Sequence, residues 1–188
     1  MIVGIIGTGF GKTIAQTFRA VDKDCKIFLC GSDKDKTEKI ASEMGVQAIE
    51  KWADLIRRPE IDLVVIATPS NLHKKMFEAT IKQNKYILLE KPAATTTKDI
   101  RDMLALAKNY PKTIVINHEV RFNPIVGYIK DCIENSLLGD IMTLRIGAYL
   151  NLFSSEGYTG TWYNQKESGG GSASCRWCSS NRFGKVFA

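Results

Sequence analysis

Gly7-Thr8-Gly9-Phe10-Gly11-Lys12 follows an uninterrupted apolar run, Met1 to Ile6, and stands where a helix begins. Glycines at such a strand-to-helix turn let the backbone approach a phosphate, and the amides of the helix N-terminus face its charge. The turn supplies the first two glycines of G-x-G-x-x-G, but Lys12 stands where the third belongs and Gly11 comes one residue early. Gly11-Lys12-Thr13 also resembles the end of a P-loop. That motif needs its first glycine at position 6, which is Ile, and no strand-borne acid offers itself as a magnesium ligand. The spacing therefore favours a dinucleotide over a nucleoside triphosphate.

A second candidate position is the end of the second apolar run, Cys30-Gly31-Ser32-Asp33-Lys34. An NAD-binding domain usually places an acid there for the ribose 2′-hydroxyl. Gly31 occupies that place, while Ser32 and the nearby lysines suit a 2′-phosphate, so the reading leans to NADP over NAD. Asp33 remains a candidate acid if the strand ends two residues later.

The elements that must position these groups alternate from the start. Apolar runs at 2–6, 26–30, 46–49, 62–67, 86–89 and 113–117 read as strands, and 11–21, 34–44, 52–57, 70–83 and 97–108 as helices. Gly45 stops the second helix. Continuous apolar runs such as 62–67 are those of strands buried on both faces of a parallel sheet. Six strands with intervening helices predict an α/β, Rossmann-type doubly wound parallel sheet over 1–120. Past Val120 the pattern changes: Asn123-Pro124 opens a helix expected to reach Leu138, and partial alternation over 140–153 reads as the first strand of a more open sheet. Residues 121–188 are expected to form an incomplete α+β domain for substrate and dimerisation, with an atypical tail from about 172.

Composition bounds the partners. The chain has 188 residues, a net charge of +6, 44% hydrophobic and 24% charged residues. Its basic residues are scattered among acids, which argues against nucleic acid as a partner. No apolar run is long enough to span a membrane and no secretory leader is visible, so a cytoplasmic protein is expected. Five cysteines, with Cys25, Cys30 and Cys132 in apolar segments, read as reduced buried thiols rather than a disulfide framework.

Two further segments narrow the identity: Ala67-Thr68-Pro69-Ser70-Asn71-Leu72-His73 after one strand, and Glu90-Lys91-Pro92 after the next. With the glycine turn and Arg121-Phe122-Asn123-Pro124, they resemble the glucose–fructose oxidoreductase, inositol dehydrogenase and rhizopine-catabolism (Gfo/Idh/MocA) family, over residues 1 to about 171. The resemblance implies an NAD(P)-dependent oxidoreductase that moves a hydride between nicotinamide and a hydroxyl or keto carbon of a sugar, polyol or related cyclic compound. It implies that Gly7, Thr8, Gly9 and Phe10 hold the pyrophosphate and adenosine side, with Gly31 and Ser32 at the ribose. Thr68, Pro69, Asn71 and His73 would line the groove near the nicotinamide ribose, with Glu90 beside them. Lys91 would be the catalytic residue, stabilising oxygen charge as hydride leaves the carbinol carbon. The residues also admit plainer readings, in which His73 sits in the first turn of a helix and Lys91 is solvated. His118 reads as structural or peripheral to the substrate pocket, and Trp52 and Trp162 as packing.

The family pattern breaks near the end. Members follow a glycine cluster like Gly169-Gly170-Gly171 with a helix bearing D-x-x-x-H, its His serving as acid/base; here Cys175 and Ser179 stand at about those places. Read one nucleotide later, the codons for residues 177–188 permit G-V-H-L-I-D-L-A-R-F-L, which resembles the missing helix. An out-of-frame tail on a truncated oxidoreductase, possessing cofactor binding without turnover, is the expectation. Cys175-x-x-Cys178 alone is a weak metal or redox signature, so no metal is expected. A non-catalytic dinucleotide sensor of the same fold is the rival function, and homo-oligomerisation is expected of a full-length form.

Overall fold

The computed structural model describes residues 1–143 together with Arg145 and Ser168. Six short apolar segments form strands: β1 (Ile2–Ile6), β2 (Lys26–Cys30), β3 (Gln47–Ala48), β4 (Leu63–Ile66), β5 (Tyr86–Leu89) and β6 (Ile114–Ile116). All pair in parallel, in the order β3-β2-β1-β4-β5-β6. Helices α1 (Phe10–Val21), α2 (Lys34–Met44), α3 (Trp52–Arg57), α4 (His73–Lys82) and α5 (Thr97–Ala107) fill the connections. The order reverses between β1 and β4, which makes that gap the topological switch point where open α/β sheets take their ligands.

The central strands β1 and β4 are apolar throughout because both of their faces are covered. Val3, Ile5, Leu29 and Val65 pack with Ile14, Ala15, Ile40 and Ala41 of α1 and α2 on one face. Ile6, Val64, Ile66, Ile87 and Leu89 pack with Leu55, Met76, Phe77 and Met103 on the other. Adjacent residues of one strand, such as Ile5 and Ile6, therefore serve opposite cores, as the two-residue period of a strand requires. The connection ahead of β4 is closed by Lys85, whose buried ammonium donates to the carbonyls of Arg58, Pro59 and Ile61 at 2.9, 3.3 and 2.6 Å.

Local signals explain the helix ends. Asp33 caps α2 by accepting the Lys36 N–H at 3.0 Å, and Gly45 closes it with φ +61°. Thr96 caps α5 by accepting the Asp99 N–H at 3.1 Å. The helix expected over 70–83 is divided, because Ser70–Leu72 forms a 3₁₀ turn ahead of α4.

Residues Met1–Asn117 form one compact unit and His118–Ala188 a second. In the second, a 3₁₀ turn over Glu119–Phe122 precedes α6 (Pro124–Glu134), whose N-cap Asn123 accepts the Ile125 N–H at 2.9 Å. α6 stops four residues before the expected Leu138. Ser136 takes a positive φ of 56°, and the Leu137 N–H turns back to the Cys132 carbonyl at 2.9 Å, a stop that glycine normally provides. Most of the strand expected over 140–153, and all of the tail with Cys175, Cys178 and Ser179, lie outside the described residues. Among the described residues, no helix is long and apolar enough to cross a membrane, and Cys25, Cys30 and Cys132 are buried free thiols.

Candidate functional site: the carboxyl edge of the sheet

The turn between β1 and α1 is built for close approach. Gly7 has φ +117°, and a Cβ there would lie 2.2 Å from the Ala67 carbonyl oxygen at the end of β4. Its N–H donates to the Cys30 carbonyl at 2.7 Å, so one residue ties together the ends of β1, β2 and β4. Gly9 opens α1 with no side-chain cap and no acid in the first turn, and a Cβ at Gly9 would meet nothing within 4 Å. A helix start with no side-chain cap, beneath open space, is what a pyrophosphate needs, so the turn fits a dinucleotide. Gly11 supplies the remaining function of the motif. Its absent side chain would sit 2.9 Å from Ile5 Cγ2, so α1 packs directly on β1 although the glycine comes one residue early. Lys12 turns aside toward Glu43 at 3.4 Å.

At the end of β2, the pairing of Ile6 with Cys30 fixes Gly31 as the first residue beyond the strand. A Cβ at 31 would lie 2.4 Å from Thr37 Oγ1 and 2.6 Å from Thr8 Cγ2. Asp33, the other candidate acid, caps α2 instead. A cavity of about 170 Å³ opens here, lined by Gly31, Lys34, Thr37, Glu38, Ile49 and Glu50. Ser32 is exposed beside it. Burial pushes the neighbouring Cys30 thiol up to about 11, so it stays protonated at neutral pH.

The turns after β4 and β5 complete the edge. Thr68 and Pro69 are half-buried and Asn71 is exposed. Lys91, half-buried and joined to Pro92 by a cis peptide, immediately follows Glu90. Glu90 is only 7% exposed; its carboxylate accepts the Lys91 N–H at 3.2 Å and the side-chain amide of Asn117 at the end of β6.

His73 differs from the position the resemblance implies. It is 1% exposed, with Nδ1 2.8 Å from the Pro92 carbonyl and Nε2 2.8 Å from the Thr68 carbonyl, which leaves no ring surface for a ligand. Burial lowers its pKa from the usual 6.5, against the opposing pull of those carbonyls.

Gly7, Thr8, Gly9, Phe10, Gly31, Ser32, Thr68, Pro69, Asn71, Glu90 and Lys91 thus all fall at the carboxyl ends of parallel strands, on one edge of the sheet. Sequence reasoning missed Asn117 and the packing role of Gly11. Asn117 was detectable as the first polar residue after an apolar run.

A doubly wound sheet with a glycine turn at its switch point defines an NAD-binding Rossmann domain. Residues 1–118 match the Gfo/Idh/MocA oxidoreductase family with its NAD-binding Rossmann fold, and the chain belongs to that family. It is 30% identical over 186 residues to levoglucosan dehydrogenase of Pseudarthrobacter phenanthrenivorans, covering 91% of this chain and 46% of that protein. It is 25% identical over 148 residues to myo-inositol 2-dehydrogenase of Thermotoga maritima, covering 78% and 44%. A solved levoglucosan dehydrogenase in complex with NADH and levoglucosan superimposes with TM-score 0.89 at 25% identity, covering all of this chain and 54% of that one. The chain spans about half the length of the curated relatives it matches.

Proposed function

We propose that this chain binds a nicotinamide dinucleotide along the carboxyl edge of its sheet and serves reversible hydride transfer with a secondary alcohol of a sugar or polyol. The observation that carries the reading is Lys91. It places an ammonium at the end of β5, one strand beyond the β1–β4 switch point, on a turn whose backbone is held by the buried carboxylate of Glu90. When bound, the nicotinamide supplies the hydride acceptor. The chain's own part is to seat the pyrophosphate on the Gly7–Gly9 turn and to hold a positive charge where alcohol oxygen charge develops. The enzyme names carried by relatives favour this over a dinucleotide sensor.

For the cofactor, NADP is the preferred form. Position 31 has no room for a ribose-binding carboxylate, Asp33 caps a helix, Lys34 lines the cavity at that end, and Ser32 is exposed next to Gly31. The cytoplasm, where buried thiols stay reduced, is the expected compartment, and a homo-oligomer the expected full-length assembly.

The test compares NADPH and NADH binding by fluorescence, then assays hydride transfer by a full-length form against a panel of polyols. Lys91→Met is expected to bind cofactor normally and to lower turnover about 100-fold or more, the scale of losing one charge-stabilising donor. Unchanged turnover in Lys91→Met would remove the lysine from the mechanism, and equal affinities for the two cofactors would remove the NADP preference.

A further inference from the structure

We infer that His73 is a positioning residue, which locks the turn carrying Lys91 to the turn that ends β4 and so fixes where the ammonium stands. The inference rests on the proposed role of Lys91.

His73 is the first residue of α4 and lies beneath both turns. Its two ring nitrogens face two main-chain carbonyls from different strand ends, Thr68 after β4 and Pro92 after β5, each at 2.8 Å. The ring is 1% exposed, so water does not compete for either carbonyl. A neutral imidazole has one N–H and donates to one carbonyl at a time; the doubly protonated ring donates to both. The ring thus sits between the turns that follow the adjacent strands β4 and β5, bonded to one when neutral and to both when doubly protonated.

The target of the second bond matters more than its strength. Pro92 is the residue after Lys91. On the preceding side, Glu90 accepts the Lys91 N–H at 3.2 Å and is itself held by the Asn117 side chain. The backbone of Lys91 is therefore fixed before and after the residue, by Glu90 from the β6 side and by His73 from the β4 side. Displacements of about 1 Å at a reacting group, caused from outside the chemistry, can cost about 100-fold in rate. The helix start that supplies this anchor also belongs to the β4 turn, so the same ring sets the spacing of the two turns.

Two substitutions in the full 188-residue chain separate positioning from mere support. His73→Ala removes the bridge; His73→Gln keeps an amide donor that reaches one carbonyl. The readout is the acetylation rate of the Lys91 amine by acetic anhydride, followed by mass spectrometry with and without NADPH, beside the melting temperature. Bound NADPH is expected to shield Lys91 in the unsubstituted chain. In His73→Ala the shielding should weaken about tenfold while part of the binding survives, and His73→Gln should recover much of it.

A lower melting temperature with unchanged shielding of Lys91 in both variants would overturn the inference. Should neither variant fold, the unsubstituted chain still decides: the His73 ring N–H should exchange slowly with solvent by proton NMR, and a ring proton exchanging at the rate of an exposed histidine would overturn it. Failure of the underlying reading looks different. In that case NADPH would leave Lys91 unshielded in the unsubstituted chain, while the slow His73 proton would persist.

Discussion

An aspartate at position 31 is the change a designer would choose to turn this site toward NAD, and the structure argues that it fails. The Cβ alone would overlap Thr37 Oγ1 and Thr8 Cγ2, before any carboxylate is added. Overpacking of this kind costs about 1–3 kcal/mol, and one of the two displaced neighbours is Thr8, in the turn proposed to receive the pyrophosphate. Gly31→Asp is therefore expected to lower the melting temperature and weaken both cofactors, rather than exchange NADPH for NADH. Parallel titrations with the two cofactors check it; a clean switch to NADH with an unchanged melting temperature would contradict the steric argument. At this scale the sequence was partly legible. Gly7 and Gly9 declare themselves as glycines beside an apolar run, whereas Lys91 stands out only through the Glu-Lys-Pro resemblance, since a lysine near a strand end is as readily a solvated one. His73 did not, because a polar residue opening a helix reads alike whether its ring faces solvent or the interior. Only the two carbonyls it meets, from residues five before and nineteen after it, reveal the direction.

Helices α4 and α5 lie side by side and are joined at their starts by one cation. Lys74 donates to Asp99 at 2.8 Å and to Asp102 at 2.5 Å, and Lys98 adds a bond to Asp102 at 3.2 Å. Since α4 begins at His73, this surface network steadies the helix whose first residue holds both site turns. The ammonium hydrogen-bonds push Asp99 and Asp102 below the ordinary carboxylate value of 3.8. A carboxylate with a depressed folded pKa contributes stability that is present above its unfolded value and lost as the pH falls through its folded one. Lys74→Met is thus expected to melt below the unsubstituted chain at neutral pH, with the gap closing as the solution is acidified below 3.8. The gap should also shrink with added salt, because the groups are solvent-accessible. A gap that persists in acid would assign the effect to packing of the lysine stem instead. The elements themselves were readable where burial is two-sided: a strand covered on both faces, such as Leu63–Ile66, shows as a continuous apolar run, although the run 62–67 overreaches it by one residue at each end. The end of α6 was not, because Gly139 is the expected stop, whereas Ser136 adopts the left-handed conformation first.

At the level of the molecule, both cores of the sheet are built, among the described residues, from Met1–Asn117. Each described cluster of buried apolar residues, from Val3 to Met103, has its members in that unit. All six strands and the five helices that cover them belong to it as well. The described part of the second unit has a different surface, with Phe122 84% and Met142 89% exposed and Ile125, Tyr128 and Leu137 also outward. Apolar residues gathered in that way are a source of self-association in an isolated chain. A fragment of residues 1–117 is therefore expected to melt cooperatively, to keep cofactor binding within a few-fold of the whole chain, and to run as a more uniform species in size-exclusion chromatography. The reason is thermodynamic: the described residues that bury the sheet and those proposed to meet the dinucleotide belong to the same unit, so removing the remainder is expected to take little from either. If instead the fragment binds nothing while staying folded, residues beyond Asn117 must contribute directly to the cofactor. The Gly7–Gly9 turn would then be one half of a site completed elsewhere in the chain, and the Lys91 experiments would need to be read in that light.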